Sequence, residues 1–229
     1  MELKHYTYLI ILISTLAVPL ALSFEKNIQY YKKLKYILPA ILFTSAVFIM
    51  WDISFTKSKI WGFNAAYLLG KDLFGLPVEE WLFFIVIPYS CVFIYEVLKF
   101  YLKKHEYANS FLAFSVFLII GFGLLSLFFR SKEYAFTTFI FSSVYLAFIV
   151  IRNRFKPHIT KFFFAYFVSL VPFTIVDGIL TSLPVVEYHD QYLMNIHIFS
   201  IPIEDFFYFF LLLLMVTTIY EYLKERKFY

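Results

Sequence analysis

Seven apolar segments, separated by short charged or turn-rich stretches, constrain the fold of this 229-residue chain more than any other feature. Most of them approach the ~20 residues that a helix needs to cross a hydrocarbon core of about 30 Å. Hydrophobic residues make up 62% of the chain and charged residues only 16%, a balance typical of membrane proteins. The predicted spans are Tyr6–Ser23, Tyr36–Trp51, Glu80–Leu98, Ser110–Phe129, Ala135–Ile151, Phe162–Leu180 and Phe206–Tyr222.

The basic residues between these spans predict the orientation of the chain. The side with the N-terminus and the 2–3, 4–5 and 6–7 loops holds six of the 20 Lys and Arg residues, and the other side holds 14. Because loops rich in Lys and Arg stay in the cytoplasm, we expect the N-terminus outside and the C-terminus inside. We also expect an integral protein of a bacterial inner membrane. Acidic residues show the opposite bias, with 11 of 16 on the predicted outer side.

Several kinds of site are disfavoured by motifs that the sequence lacks. It contains neither GxGxxG nor a P-loop, so no dinucleotide or nucleotide phosphate site is indicated. The single cysteine, Cys91, lies inside an apolar segment and allows no disulfide framework or thiolate metal site. The seventh span has no lysine for a retinal Schiff base. We therefore expect no cofactor, no bound metal and no nucleic-acid partner.

An internal repeat emerges when the chain is compared with itself at an offset of 125 residues. Residues 77–99 then align with 202–224 without a gap, and eight of these 23 positions are identical. The same offset places Asp52, at the end of the second span, on Asp177, at the end of the sixth. Chance matches between apolar helices involve mostly Phe and Leu, whereas these matches include Pro, Glu and Asp. The repeat therefore indicates a duplicated unit.

The repeat predicts the organisation of the membrane domain. Spans 1–3 and 5–7 form two three-helix repeats that span 4 joins, with boundaries at 1–104, 105–133 and 134–229. One extra helix makes spans 1 and 5 enter the membrane in the same direction, so the repeats are parallel. The predicted fold class is accordingly an all-α integral membrane protein with seven transmembrane helices. Equivalent motifs of the two repeats then open on the same side of the membrane.

Each repeat carries carboxyl groups near that side. An acidic pair follows a proline at the start of spans 3 and 7, which for one motif alone is ordinary helix capping. The duplication of the pair, and an extra Asp near the C-terminal end of the preceding span, favour a function instead. Desolvation and mutual repulsion favour a proton on one of six such groups, which would make it a general acid. The acidic pairs are Glu79, Glu80, Glu204 and Asp205, and the supporting residues are Asp52, Asp177, Pro77 and Pro202.

The motifs "PVEEWLFF…YE" and "PIEDFFYF…YE", with "WD" at 51–52, resemble those of the membrane-embedded, flavin-independent lycopene cyclases. That family occurs as small heterodimeric subunits of three spans in some bacteria, and as fused forms elsewhere. The present chain is similar to a fused form over nearly its whole length. The likeness is strongest at 51–99 and 174–224. The second motif departs from Glu-Glu, because it ends in the shorter Asp205.

This resemblance implies a redox-neutral lycopene β-cyclase of carotenoid biosynthesis, an isomerase of the intramolecular lyase class. An acid would protonate the terminal double bond of lycopene, the neighbouring double bond would close the ring, and a base would remove a proton to give γ- or β-carotene. The implied acid and base set is Glu79, Glu80, Glu204 and Asp205. No cofactor is implied. The substrate and the lipid bilayer are the expected partners, with a possible association with other carotenoid enzymes.

Aromatic rings near the motifs are candidates for stabilising the carbocation, since their π faces attract positive charge. These candidates are Trp51, Trp81, Phe84, Phe206 and Phe209. At the other end of spans 3 and 7, Glu96 and Glu221 each precede a lysine by three residues, which predicts an ion pair within each helix.

Two other functions are compatible with these patterns. A proton-coupled transporter also uses intramembrane carboxylates and internal repeats. Against it, no pair of spans is interrupted by Gly or Pro at equivalent positions, since Pro88 corresponds to Leu213. A non-catalytic carotenoid-binding membrane protein is the third reading.

Overall fold

The computed structural model describes residues 3–226, and long helices dominate it. Seven of the helices in this range are long and apolar enough to cross a membrane, as the sequence predicted. They are α1 (Thr7–Leu22), α2 (Leu34–Lys57), α3 (Val78–Tyr101), α4 (Ala108–Phe128), α5 (Glu133–Arg152), α6 (Lys156–Ser182) and α7 (Ile203–Glu225).

The helices are mostly longer than the apolar segments that predicted them. The prediction ended each span at its flanking polar residues, but backbone hydrogen bonding continues past them. Helix α2 runs six residues beyond the predicted end at Trp51. Asp52 therefore lies inside the last two turns of α2, where it is 1% exposed, and not at the end of the helix. Pro77 and Pro202 immediately precede α3 and α7 in extended conformation.

The helix contacts follow the predicted duplication. Within each repeat the first helix packs against the third, α1 on α3 and α5 on α7. Between the repeats α2 packs against α7, and α3 packs against α6. Helix α4 lies outside this arrangement against α5 and α6, and most of its residues face outward. The result is a core of two interlocked three-helix repeats with one peripheral connecting helix.

The 2–3 and 6–7 connections are more ordered than the sequence indicated. Each contains three short strands, at positions that again differ by 125 residues. The strands are β1 (Trp61–Phe63), β2 (Asp72–Leu73), β3 (Leu76–Pro77), β4 (Val186–Tyr188), β5 (His197–Ile198) and β6 (Ile201–Pro202).

Strands β1 and β4 pair antiparallel across the two repeats, and we call this pair the ribbon. Gly62 lies opposite Glu187, and Glu187 is the residue that corresponds to Gly62 at the offset of 125. A pseudo-two-fold axis therefore passes between these two residues, as parallel repeats require. The ribbon joins the repeats at the end of the bundle where α3 and α7 begin.

A second connection joins the repeats at the opposite end of the bundle. The Tyr95 hydroxyl donates to Glu221 Oε1 at 2.9 Å, and the equivalent Tyr220 hydroxyl donates to Glu96 Oε1 at 2.8 Å. Both carboxylates are 3% exposed. Each repeat thus supplies a phenol to the carboxylate of the other.

Lysines complete this connection. Lys99 lies 3.7 Å from Glu96, which confirms the predicted ion pair within α3. Lys99 also pairs with Glu221 of the other repeat. Lys224 lies 3.4 Å from Glu96 across the repeats, so the pair predicted within α7 is replaced by one between helices. Glu96 also pairs with Lys33 of its own repeat. The buried carboxylates are therefore neutralised by lysines of both repeats.

We expect the Glu221→Gln variant to lose stability, because it removes a buried charge that Lys99 neutralises. A hydrogen bond to a charged group contributes about 1.5–3 kcal/mol. That corresponds to a fall of about 5 °C in the Tm of a chain of this size, measured in detergent. The matched control is Glu225→Gln on the same helix, whose side chain is 54% exposed. Equal falls in the two variants would contradict this role.

Candidate active site

The first acid of each motif binds the connection that precedes its helix. Glu79 Oε1 accepts a hydrogen bond from the backbone N–H of Leu69 at 2.6 Å. Glu204 Oε1 accepts one from the N–H of Met194, also at 2.6 Å. Both side chains are fully buried. Since the two contacts are equivalent at the offset of 125, Glu79 and Glu204 hold the same part of the two connections.

The second acid of each motif faces a different way, because consecutive helix residues point about 100° apart. Glu80 and Asp205 line a cavity of about 60 Å³ between the two repeats, which we call the carboxylate cavity. Asp52 and Asp177 line it too. All four carboxyl groups are buried, with exposures between 1% and 8%. One cavity thus collects two carboxyl groups from each repeat.

Phenols from the first helix of each repeat bind the carboxyl groups of Glu80 and Asp205. The Tyr8 hydroxyl donates to Glu80 Oε2 at 2.6 Å, and the Tyr134 hydroxyl donates to Asp205 Oδ1 at 2.5 Å. Tyr188, on strand β4, donates to Asp205 Oδ2 at 2.9 Å. Burial and the adjacent Asp205 raise the pKa of Tyr188. Its phenol therefore stays protonated and remains a donor.

The remaining two carboxyl groups have unlike surroundings. Asp52 Oδ1 accepts hydrogen bonds from the Trp61 indole at 2.6 Å and from Thr56 at 3.2 Å. Asp177 Oδ2 is buried without a hydrogen-bond partner among the described residues. The residue equivalent to Trp61 is Val186, which has no donor group to offer. The two halves of the cavity are therefore related but not identical.

The cavity is acidic and offers no fixed counter-charge. None of the side chains described as lining it is Lys, Arg or His. Within residues 3–226, no three His, Cys, Asp or Glu side chains are placed to hold one metal ion. Carboxyl groups that share one cavity exchange protons with substrates in several kinds of enzyme. This arrangement suits the donation and removal of protons.

An apolar groove of about 490 Å³ adjoins the carboxylate cavity. It lies between α1, α3 and α6, and its exposed part is lined mainly by aliphatic side chains. Phe83, Phe173 and Asp177 line both the groove and the cavity, so these three side chains form the boundary between the two spaces. A volume in this range is typical of sites for small organic ligands. The site can therefore receive a long apolar molecule with its end next to the carboxyl groups.

Comparison with known protein families identifies the chain. A family model described as "Lycopene cyclase" matches residues 5–98 and again residues 131–223. The chain belongs to the lycopene cyclase family. The paired matches confirm that both repeats are copies of one family unit, and α4 lies between them. None of the curated proteins and none of the solved structures compared with the chain matches it.

The candidate aromatic residues of this lycopene cyclase family protein fall at different distances from the site. Phe84 lines the carboxylate cavity, and Phe209 lines the groove, stacked on Phe173 at 4.4 Å between ring centroids. Trp51 and Phe206 line neither space but pack against residues that do. Trp81 faces the connection, where its indole donates to the Leu73 carbonyl at 3.2 Å.

The structure adds site residues that sequence reasoning missed. Tyr8 and Tyr134 are equivalent, but at an offset of 126 and not 125. The family matches show the same change, since they begin 126 residues apart and end 125 apart. An alignment that allowed one gap would have paired these two tyrosines. The other cavity residues that no prediction included are Trp61, Phe63, Phe83, Phe173, Leu180, Val186, Tyr188 and Tyr208.

Proposed function

We propose that this member of the lycopene cyclase family is a lycopene β-cyclase, which converts the linear end of lycopene into a β-ionone ring. The observation that carries the proposal is the buried cavity in which both repeats place carboxyl groups beside a lipid-facing apolar groove. Ring closure of this kind needs an acid, a base and a dry apolar enclosure. The products would be γ-carotene after one ring and β-carotene after two.

Glu80 is our candidate for the proton donor. A polyene that enters from the groove passes Asp177 first, because Asp177 lines both spaces. Glu80 lines only the cavity beyond this junction, where the tip of the polyene would lie. The Tyr8 hydroxyl occupies Glu80 Oε2 and leaves Oε1 to carry the proton. Transfer of that proton to the terminal double bond leaves a tertiary carbocation at the branched end carbon.

The cation is then captured within the same molecule. The double bond one isoprene unit further along the chain supplies an electron pair to the cationic carbon, and a six-membered ring closes. The positive charge moves onto a ring carbon as this bond forms. Phe83, Phe84 and Tyr208 surround this part of the cavity, and their π faces stabilise a cation without reacting with it.

Asp177 is our candidate for the base. The ring carbon that loses a proton lies further from the tip than the carbon that gains one, which places it near the junction with the groove. Asp177 accepts this proton, and the electron pair of the broken C–H bond forms the ring double bond. One proton enters and one leaves, so the product is an isomer of the substrate and neither an oxidant nor a reductant is consumed. The proton returns to Glu80 before the next turnover.

Glu79 and Glu204 have a supporting role in this proposal. Sequence reasoning placed them with Glu80 and Asp205 in the acid and base set, and that assignment stays a prediction. Their hydrogen bonds to Leu69 and Met194 favour a role in holding the two connections over the cavity. Asp52 and Asp205 are the other two carboxyl groups of the cavity. In this proposal they help to pass the proton from Asp177 back to Glu80.

The bilayer is the source of the substrate in this proposal. Lycopene is insoluble in water, and the groove faces the lipid. We also propose the orientation that the loop charges predict, with the N-terminus and the carboxylate cavity towards the outer side of a bacterial inner membrane and the C-terminus in the cytoplasm.

The direct test is expression of the full chain in cells that accumulate lycopene, followed by extraction and chromatography of the pigments. We expect conversion of red lycopene into orange-yellow γ- or β-carotene. The control is the same cells without the gene, with the amount of protein in the membrane measured in parallel. Unchanged lycopene in the presence of abundant, membrane-inserted protein would refute the proposal.

A further inference from the structure

We propose that a linear carotenoid reaches the carboxylate cavity only through the groove between α1, α3 and α6, because the equivalent path in the other repeat is closed by aromatic side chains. This inference rests on the proposed function, since it names the route by which the same substrate reaches the same carboxyl groups.

The groove is open to the bilayer along its length. Ile10, Val18 and Ile175 line it and are 44%, 62% and 59% exposed. Large exposed aliphatic side chains are ordinary on a surface that contacts lipid, so a hydrocarbon chain finds a continuous apolar path from the bilayer. At its inner end the path meets Phe173 and Asp177, which also line the carboxylate cavity. The occupant that fits this combination is a long linear hydrocarbon with one reactive end.

The pseudo-symmetry predicts a second groove between α5, α7 and α2, but large side chains fill that position. Thr15 and Val176 of the open groove correspond to Phe141 and Trp51. The Trp51 ring lies 5.3 Å from the ring of Phe141 and 4.9 Å from that of Tyr208, centroid to centroid. This contact bridges α2, α5 and α7 at the level where the open groove meets the cavity. We call these three residues the aromatic plug.

On the plugged side, a cavity of about 270 Å³ lies between α5 and α7, near the C-terminal ends of these helices. Its lining includes charged side chains such as Arg152, Arg154 and Glu221. None of its lining residues also lines the carboxylate cavity. It therefore provides no apolar route to the carboxyl groups past the aromatic plug.

The length of the groove limits how much of the substrate it holds. From Ile10 to Pro19 on α1 it extends for about 14 Å at the rise of 1.5 Å per helical residue. This is about half of a hydrocarbon core of about 30 Å. One end of the polyene is held while the rest stays in the lipid, so rings form one at a time and the molecule must leave and re-enter for the second.

The test transfers the aromatic plug to the open groove with the double variant Thr15→Phe, Val176→Trp. These are the side chains that the other repeat carries at the same positions. We expect ring formation from lycopene to fall by about tenfold or more, as loss of substrate binding by 1.4 kcal/mol or more requires. The control is Ala17→Phe, which adds an aromatic ring to the exposed face of α1 outside the groove. The single variant Thr15→Phe is the fallback if the double variant does not reach the membrane.

A second measurement reports binding without turnover. In the Glu80→Gln background, lycopene retained per mole of purified protein is measured by absorbance. We expect retention to be lost in the plugged protein and kept with Ala17→Phe. Full cyclisation or full retention by a well-folded plugged protein would overturn the groove assignment. Failure of the unmodified protein to cyclise lycopene would instead refute the proposed function, and the retention result would still decide whether the groove binds a polyene.

Discussion

Replacing Glu80 by glutamine is expected to lower ring formation by about 100-fold or more, the range that a general acid contributes. A glutamine still accepts the hydrogen bond from the Tyr8 hydroxyl, so the local structure is kept. It has no proton to give to a double bond. The measurement is the rate of cyclic carotenoid formation in membranes, normalised to the amount of inserted protein.

The neighbouring Glu79→Gln variant is the matched control for this prediction. The glutamine carbonyl oxygen replaces Glu79 Oε1 as the acceptor for the Leu69 N–H, so the connection stays anchored. We expect the activity of this variant to stay within about threefold of the unmodified protein, the effect of a disturbance below 1 kcal/mol. Equal losses of activity in the Glu79 and Glu80 variants would contradict the assignment of Glu80 as the proton donor.

The second large effect is expected at Asp177. An asparagine there leaves the carbocation without its base, and formation of the β-ring should fall by about 100-fold. Any cyclic product that remains would arise by loss of a proton from a different carbon, so its ring double bond would lie elsewhere. Chromatography with mass and absorption spectra distinguishes these isomers. This change in product separates loss of the base from loss of the acid, which should yield no cyclic product of any kind.

Asp52→Asn provides the comparison, because Asp52 is the equivalent of Asp177 in the other repeat. Asparagine still accepts the hydrogen bonds from Trp61 and Thr56 through its carbonyl oxygen. Asp52 lines the cavity but not the groove, so we expect a smaller loss and no change in ring isomer. The opposite result would be a displaced ring double bond in the product of Asp52→Asn and a normal product from Asp177→Asn. It would make Asp52 the base and place the entry of the substrate on the other side of the cavity.

The sequence was sufficient for the architecture because membrane physics leaves few alternatives. A backbone inside lipid must satisfy its own hydrogen bonds, so seven long apolar segments become seven helices. The repeat was visible in α3 and α7 because Pro, Glu and Asp are rare there and mark the register. The division at 1–104, 105–133 and 134–229 stays a prediction, although the unmatched residues between the two family matches include all of α4.

The details of the site were less predictable. Tyr8 and Tyr134 were missed because their helices are shifted by one residue relative to the rest of the repeat. Which of Glu79 and Glu80 faces the cavity depends on how α3 is rotated about its own axis relative to α1 and α2. A single sequence does not specify this rotation. The strands of the two connections have only two or three residues each, too few for an alternating pattern. The groove depends on which small residues on three separate helices meet.

The ribbon between β1 and β4 has a consequence for the purity of the product. Trp61 and Phe63 on one strand, and Val186 and Tyr188 on the other, form the wall of the carboxylate cavity on the side of the aqueous phase. A tertiary carbocation that met water there would be trapped as an alcohol and would never become a ring. In the proposed reaction this wall keeps water away from the cavity, so we expect the carbocation to close its ring or to return its proton to the carboxyl group. The ribbon that forms this wall needs one strand from each repeat, so a single repeat could not close the cavity in this way.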